Sequence, residues 1–252
     1  MTSFTLENKI ALITGGSRGI GAAIARGFAE QGATVIIAAR KQSTIEETVA
    51  AIQASGGKAS GIACHTAKAT EVNALFSRIG KEFGKLDILV NNAATNPYFG
   101  PFIAAEESAF DKTFEVNVKG YFLTGQYGAR MMVEQGGGSI INIASIEGLS
   151  PSPMMGLYAM TKAAVIMLTK VIARELGGFR VRCNCICPGL TETRFSRVLL
   201  ETPELHEHYV NKTPLGRHAL PDEIVGLASY LASDASGYVT GAIIPCDGGF
   251  SI

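Results

Sequence analysis

The stretch IALITGGSRGIG, residues 10–21, decides the fold of this chain. Its first five residues are apolar or β-branched and predict a buried strand. The glycines that follow permit a tight turn and let backbone amides approach a phosphate at the N-terminus of the next helix. A glycine-rich turn alone is weak evidence, because methyltransferases use similar turns. Its position between a strand and a helix favours a dinucleotide-binding unit.

Outward from this stretch, short apolar segments alternate with helical segments along the whole chain. The predicted strands cover residues 10–14, 34–39, 59–64, 88–90, 139–144, 181–186 and 242–245. The predicted helices cover residues 19–31, 43–54, 69–83, 105–134, 156–176 and 221–232. Most strands are continuously apolar, as parallel strands covered on both faces are. The alternation therefore predicts an α/β fold, a single-domain doubly wound parallel sheet of Rossmann type with about seven strands and helices on both faces.

Local signals set some of the boundaries. Ser43 and Glu46 have the spacing of a capping box, which predicts the start of the second helix. The 252 residues are within reach of one α/β domain. We expect one dinucleotide-binding and catalytic domain over residues 1–252, with a substrate lid around residues 190–215.

Charge and hydropathy restrict the partners. Lysine plus arginine and aspartate plus glutamate both number 22, so the formal net charge is zero. Nucleic-acid and acidic-membrane partners usually require a basic excess, and we expect neither. The longest purely apolar runs fall far short of a bilayer span of about 20 residues. The N-terminus does not resemble a signal peptide, so we expect a cytoplasmic protein.

The five cysteines fit a reducing compartment. Cys183, Cys185 and Cys187 alternate, which places them on one face of a strand. Their spacing matches no zinc pattern, and no histidine lies nearby in sequence. We interpret them as small buried hydrophobic residues and expect no metal site.

Further motifs follow the glycine-rich turn in a fixed order. They are NNAA (91–94) after the fourth strand, Asn117 in the long helix, Ser145 at the fifth strand, YAMTK (158–162) and Pro188-Gly189 after the sixth strand. With the spacing Gly15-x-x-x-Gly19-x-Gly21, this set resembles the short-chain dehydrogenase/reductase family over essentially the whole chain. His65 and residues 92–100, 150–153 and 195–197 are similar to the NADPH-dependent carbonyl and retinal reductases of the family's member 4 type.

The residue types of the YAMTK motif suit proton transfer. Tyr158 and Lys162 stand at i and i+4, so they share one helix face. An adjacent ammonium favours the phenolate, so we expect Lys162 to lower the pKa of Tyr158. We assign Tyr158 as general acid in reduction and general base in oxidation. The resemblance implies that Lys162 also holds the nicotinamide ribose, that Ser145 hydrogen-bonds the substrate oxygen, and that Asn117 holds a water connecting Lys162 to solvent.

The end of the second strand indicates the cofactor. An NAD(H) enzyme would place an acidic residue there, whereas this chain has Arg40. Arg40 and Arg18 are suited to gripping a 2′-phosphate, so the sequence favours NADP(H) over NAD(H). Many relatives carry an aspartate near the adenine, where this chain has His65, which leaves that contact open. The resemblance implies a cofactor-binding set of Gly15, Ser17, Arg18, Gly19, Ile20, Gly21, Arg40, His65, Asn91, Ala93, Tyr158, Lys162, Pro188, Gly189, Thr191 and Thr193.

Three segments, residues 95–102, 147–157 and 190–215, should surround the nicotinamide. They supply Tyr98, Phe99, Leu149, Met154, Met155, Leu157, Phe195, Val198 and Leu199. Such side chains predict an apolar pocket for a hydrophobic ketone, aldehyde or secondary alcohol. Residues 147–157 contain no arginine, which argues against a carboxylate substrate. Arg194 and Arg197 weaken that argument, because a lid helix can turn either inward.

Three alternative functions remain open from the sequence. The first is a 3-oxoacyl-carrier-protein reductase of the same family, whose partner would be acidic. The second is an NADP-binding sensor without catalysis, and the third is a methyltransferase that uses the glycine-rich turn.

The helix at residues 156–176 also indicates an oligomer. Residues 163–168 are six consecutive apolar residues, so this helix is apolar nearly all round. One face can cover the sheet, and the opposite face needs another cover. We therefore expect a homo-oligomer, and the resemblance implies a homotetramer built from dimers.

Overall fold

One parallel sheet runs through the protein, whose computed structural model describes residues 4–252. Its seven strands are β1 (Ile10–Thr14), β2 (Thr34–Ala39), β3 (Lys58–Ala63), β4 (Ile88–Asn91), β5 (Gly138–Ile143), β6 (Val181–Pro188) and β7 (Ile243–Cys246). Their order is β3-β2-β1-β4-β5-β6-β7, and all neighbours are parallel. The predicted fold class is confirmed. The strand order reverses between β1 and β4, and in such sheets ligands bind beyond the carboxyl ends of the strands at that point.

Helices cover both faces of this sheet. They are α1 (Gly19–Glu30), α2 (Gln42–Ala54), α3 (Ala69–Phe83), α4 (Glu107–Phe114), α5 (Gly120–Gln135), α6 (Gly156–Leu176), α7 (Arg197–Glu201), α8 (Pro203–Lys212) and α9 (Val225–Ala232). The capping box predicted at residues 43 and 46 is wrong. Helix α2 begins at Gln42 without a side-chain cap, and Glu46 instead accepts a hydrogen bond from Gln42 Nε2 at 2.9 Å.

The long helix predicted at residues 105–134 is interrupted. A π-helical turn, Glu115–Lys119, separates α4 from α5. A π turn inserts an extra residue into a helix and re-aims the side chains around it. Hydropathy does not reveal such an insertion, because it changes the phase of the pattern by only one residue. The turn contains Asn117, which is fully buried.

The core lies in two layers, one on each face of the sheet. Val35 and Ile37 of β2 pack on the face covered by α1 and α9. Ile36 and Ala38 alternate with them and pack on the face covered by α3 and α5. Burial on both faces explains why the central strands are continuously apolar.

One helical stretch is long and apolar enough to cross a membrane, judged by length and composition alone. It covers Gly156–Phe179, with a mean hydropathy of 1.4, and 44% of the 18-residue window that gives this value is buried. The core helix of a soluble protein passes the same test, and α6 packs directly against β6.

Candidate active site

The glycine-rich turn is shaped by contacts that exclude side chains. Gly15 has φ +64°, and a Cβ there would lie 2.8 Å from Ala93 Cα. A Cβ on Gly21 would lie 2.5 Å from the Gly15 carbonyl oxygen. The turn is therefore pressed against the end of β4, and its path opens toward the N-terminus of α1. This is the cradle that a dinucleotide phosphate requires.

A cleft of about 350 Å³ runs along the carboxyl ends of the strands. Most of the predicted catalytic and cofactor-binding residues line this cleft, from the glycine-rich turn to the lid. They are Gly15, Ser17, Arg18, Gly19, Ile20, Arg40, His65, Ala93, Ser145, Tyr158, Lys162, Pro188, Gly189, Thr191 and Thr193. The tertiary structure thus brings together residues that span most of the chain.

Three nominated residues do not line the cleft. Gly21 acts through packing beneath the turn, as its contact with Gly15 shows. The side chain of Asn91, which we predicted to contact the cofactor, does not face the cleft. This side chain is fully buried, donates to Asn142 Oδ1 at 2.9 Å and accepts from Thr124 Oγ1 at 2.7 Å. Strand alternation points its neighbour Asn92 into the cleft instead.

Asn117, the third of these residues, supports the cleft from beneath. Its Oδ1 accepts from Thr95 N at 2.8 Å, and its Nδ2 donates to Thr95 O at 2.9 Å and to Thr161 Oγ1 at 3.1 Å. Thr161 Oγ1 in turn donates to the Tyr158 carbonyl at 2.7 Å. The π turn therefore ties the loop after β4 to the helix that carries Tyr158.

Ser145, Tyr158 and Lys162 converge at the centre of the cleft. Ser145 follows β5 and caps the 3₁₀ turn Ile146–Gly148, and its side chain hydrogen-bonds that of Tyr158. Lys162 Nζ lies 5.5 Å from the centre of the Tyr158 ring and donates to the Ile143 carbonyl at 2.7 Å. Phe195 packs against the same ring at a centroid distance of 5.3 Å.

Burial sets the protonation of this group. Desolvation raises the pKa of Tyr158 above its ordinary value, while the Ser145 hydrogen bond lowers it in part and Glu147 raises it. Desolvation lowers the pKa of Lys162 to about 8. The pKa of Tyr158 is therefore raised and not lowered as the sequence predicted, because burial disfavours the charged forms of both Tyr158 and Lys162.

The adenosine end of the cleft is basic. Arg18, Arg40 and Lys41 line it together with Thr44. Within residues 4–252 none of these three cations forms an ion pair with an acidic side chain. Glu147 is the one acidic residue that lines the described cleft, and it belongs to the turn directly after Ser145. Lys41 and Thr44 were not predicted from the sequence, although Lys41 stands directly after Arg40. This cluster fits a 2′-phosphate.

His65 follows β3 and lines the same cleft. Its Nδ1 accepts from Ala67 N at 3.3 Å, and its backbone N donates to Glu71 Oε2 at 2.7 Å. Burial and then Lys112 lower the pKa of its imidazole. The neutral ring, with Nδ1 used as an acceptor, presents an Nε2–H donor, and Thr66 joins it in the lining.

The substrate end is largely apolar. Of the side chains predicted for it, Phe99, Met155, Phe195, Val198 and Leu199 line the cleft. Tyr98, Leu149, Met154 and Leu157 do not. Tyr98 instead donates to the Pro101 carbonyl at 2.7 Å. Sequence reasoning missed the polar lining residues Asn96, Glu147 and Tyr209, because nothing in their local patterns separates them from ordinary loop or helix residues.

Comparison with known proteins decides the family. A family model described as enoyl-(acyl carrier protein) reductase matches residues 15–251. The Bos taurus protein named dehydrogenase/reductase SDR family member 4 is 40% identical over 244 residues, 97% of this chain and 88% of that protein. The chain belongs to the short-chain dehydrogenase/reductase family. It is therefore an oxidoreductase, which confirms the resemblance and excludes a methyltransferase.

Solved structures of this family superpose closely on the chain. A short-chain type dehydrogenase/reductase from Mycobacterium marinum is 39% identical with a TM-score of 0.94, covering 98% of this chain and 97% of that one. A gluconate 5-dehydrogenase from Burkholderia cenocepacia, in complex with NADP and tartrate, is 35% identical with a TM-score of 0.95 and the same coverage. At these identities the likeness extends beyond the fold to the family.

Proposed function

We propose that this short-chain dehydrogenase/reductase uses NADP(H) to transfer a hydride to or from the carbonyl or secondary-alcohol carbon of a largely hydrophobic ketone, aldehyde or alcohol. One observation carries the proposal. Ser145, Tyr158 and Lys162 meet in a cleft that has a basic end and an apolar end. The same convergence argues against a non-catalytic sensor, which would not require a buried proton donor beside an apolar pocket.

Tyr158, Ser145 and Lys162 have different roles in the reduction. When bound in the cleft, NADPH would supply the hydride. Tyr158 donates its phenolic proton to the substrate oxygen, and Ser145 donates a hydrogen bond to that oxygen as charge develops on it. Lys162 would hold the nicotinamide ribose. Because burial raises the pKa of Tyr158, the phenol is protonated at neutral pH and ready to act as the acid.

NADP(H) is supported by charge. Arg18, Arg40 and Lys41 surround the end of β2, where an NAD(H) enzyme would place a carboxylate. The NADP held by the Burkholderia cenocepacia relative agrees with this preference. NAD(H) would leave the three cations without a phosphate partner.

The substrate class is supported by Phe99, Met155, Phe195, Val198 and Leu199, which are apolar. Two findings favour testing other substrate classes beside the hydrophobic carbonyl compounds. The gluconate 5-dehydrogenase relative suggests a sugar acid, and Arg194 in the cleft lining offers a carboxylate partner. The description of the matching family model suggests an acyl thioester on a carrier protein.

A substrate panel with NADPH consumption as the readout tests the proposal. We expect turnover of hydrophobic ketones and aldehydes, with little turnover of a ketogluconate or of an acyl-carrier-protein thioester. The control is Tyr158→Phe, which should abolish the signal on every substrate. Turnover of only the thioester, or of only the sugar acid, would replace the proposed substrate class by that rival.

We also propose a homotetramer in the cytoplasm, acting on a small molecule without a nucleic-acid or membrane partner. Apolar side chains exposed on α4, α5 and α6 support the assembly. The five free cysteines, all within residues 4–252, suit a reducing compartment.

A further inference from the structure

A buried carboxylate lies beside the catalytic tyrosine. Glu147 is 4% exposed and belongs to the 3₁₀ turn Ile146–Gly148, directly after Ser145. It is also the only acidic residue among the described residues that line the cleft. A buried charge is costly unless it is well hydrogen-bonded, so its retention at this position requires an explanation.

Three hydrogen bonds hold this carboxylate. Oε2 accepts from Ser152 N at 2.7 Å, and Oε1 accepts from Ser152 Oγ at 2.7 Å and from Tyr209 Oη at 3.0 Å. An ionised carboxylate is an acceptor only, and every partner here is able to donate. Ser152 belongs to the loop between β5 and α6, which we call the substrate loop (residues 144–155). Tyr209 lies on α8, within the predicted lid. Glu147 therefore ties the lid to the substrate loop.

The same turn is pressed against the catalytic groups. A Cβ on Gly148 would lie 2.6 Å from the Lys162 carbonyl carbon, so the turn packs directly on α6. The backbone N of Glu147 donates to Ser145 Oγ at 3.1 Å, which leaves the Ser145 proton free to be donated. The Glu147 charge is close enough to raise the pKa of Tyr158, in addition to the larger effect of burial.

We propose that Glu147 is a positioning residue with two roles: it fastens the lid helix to the substrate loop, and it places a negative charge at the end of the cleft that holds Ser145 and Tyr158. The first role depends on the bond to Tyr209 and the second on the carboxylate charge. The two roles are therefore separable by substitution. The proposal rests on the proposed function, because Tyr158 acts there as the acid of reduction.

Other titratable groups also face Tyr158. They are Lys162 on α6, Tyr121 on α5, Cys187 on β6, Tyr209 on α8 and Glu147 itself. Glu147 is the only carboxylate among them. Its removal should therefore change the electrostatic potential at the phenol more than the loss of either tyrosine hydroxyl.

The decisive variant is Glu147→Gln, which keeps the shape and the acceptor oxygen for Tyr209 and Ser152 Oγ, removes the charge, and replaces the acceptor of Ser152 N by an amide group. We expect the pH profile of alcohol oxidation to shift to lower pH by roughly one unit, because a neighbouring like charge no longer opposes the phenolate. Glu147→Asp keeps the charge and should restore the wild-type profile. The matched control Glu201→Gln removes an exposed carboxylate of the lid and should leave the profile in place.

Tyr209→Phe tests the fastening role. It removes one hydrogen bond to Glu147 and leaves the charge, so KM should rise roughly threefold to tenfold with little change in the pH profile. An unshifted profile in a folded Glu147→Gln variant would overturn the electrostatic role. An unchanged KM in Tyr209→Phe would overturn the fastening role.

A titration without turnover separates this inference from the proposed function. Phenolate absorbance is followed in wild type, Glu147→Gln and the double variant that adds Tyr158→Phe, within the pH range where each stays folded. We expect more phenolate absorbance at the upper end of that range in Glu147→Gln than in wild type, and this excess to be missing from the double variant. This result would support the charge effect even if no carbonyl on the panel were reduced, whereas identical titrations would contradict it.

Discussion

The hydroxyl group of Ser145 is oriented by the hydrogen bonds that its neighbours make with it. Its Oγ accepts from the backbone of Glu147 at 3.1 Å, which directs its proton toward Tyr158 and the substrate. An isolated serine hydroxyl would rotate among several partners. At the residue scale, the site consists of donors whose directions are already fixed before substrate arrives.

Replacement of Tyr158 by phenylalanine should remove the transferable proton and keep the ring that packs on Phe195. Folding and cofactor binding should survive, and turnover should fall by roughly 10²–10⁴, the usual contribution of a positioned acid or base. Steady-state rates on the best panel substrate check this, with thermal unfolding as the control for folding. Near-wild-type turnover would contradict the whole catalytic assignment.

The two directions of reaction should differ in pH dependence. Oxidation needs the phenolate, and the pKa of Tyr158 is raised, so its initial rate should climb about tenfold per pH unit through neutrality. Reduction uses the phenol and the Lys162 ammonium, so its rate should be level at lower pH and fall above about pH 8, where Lys162 loses its proton. Initial rates between about pH 6 and 9 measure both. A plateau of oxidation already reached at neutral pH would count against the raised pKa.

Arg40→Asp should weaken NADP(H) and spare or improve NAD(H), because it replaces a phosphate partner with an acceptor for the ribose hydroxyl. One lost charge-assisted bond is worth about 1.5–3 kcal/mol, or roughly tenfold to a hundredfold in affinity. Fluorescence titration with both cofactors measures this. Arg78→Asp on α3, outside the cleft, is the control. A wild type that already prefers NADH would show the cofactor assignment to be wrong.

At the scale of elements, the π turn between α4 and α5 gives Asn117 a direction that a regular helix would not give it. Its extra residue turns Asn117 toward the loop after β4, where one amide satisfies both backbone groups of Thr95. Because a buried polar group without a partner is costly, this arrangement fixes the loop that lines the cleft. The irregular element thereby links α6 to β4.

Asn117→Ala should destabilise the fold by about 1–3 kcal/mol, since it leaves partly buried backbone groups of Thr95 without these partners. Chemical unfolding monitored by circular dichroism measures the loss, and turnover should fall with it because the loop borders the substrate. Asn73→Ala is the matched control, since Asn73 is exposed on α3. Equal stability of the two variants would contradict the role given to the π turn.

At the scale of the whole molecule, α6 is apolar on both sides for two different reasons. Val165 and Ile172 are buried toward the sheet. Met160, Met167 and Val171 share the opposite stripe and are 39%, 57% and 42% exposed. A stripe this apolar on a central helix is typical of a subunit interface.

Met167→Lys should weaken the assembly, because it places a charge in the middle of that stripe. Light scattering at micromolar concentration should show a homotetramer for wild type and smaller species for the variant. Leu220→Lys, at a 50% exposed position away from α6, is the control and should remain tetrameric. A stable wild-type monomer would contradict the assembly.

The order of the motifs, the parallel sheet and the shared helix face of Tyr158 and Lys162 were all determined by the sequence. These features depend on short-range spacing and on burial of whole strands, which local patterns encode. Only the tertiary structure decided that Asn92 rather than Asn91 faces the cleft, that a π turn holds Asn117, and that Glu147 lies beside Tyr158. Burial in the folded chain also raises the pKa of Tyr158, whereas the sequence predicted a lowered pKa. Burial and the direction of a side chain depend on packing between segments far apart in the chain, and no local spacing specifies them.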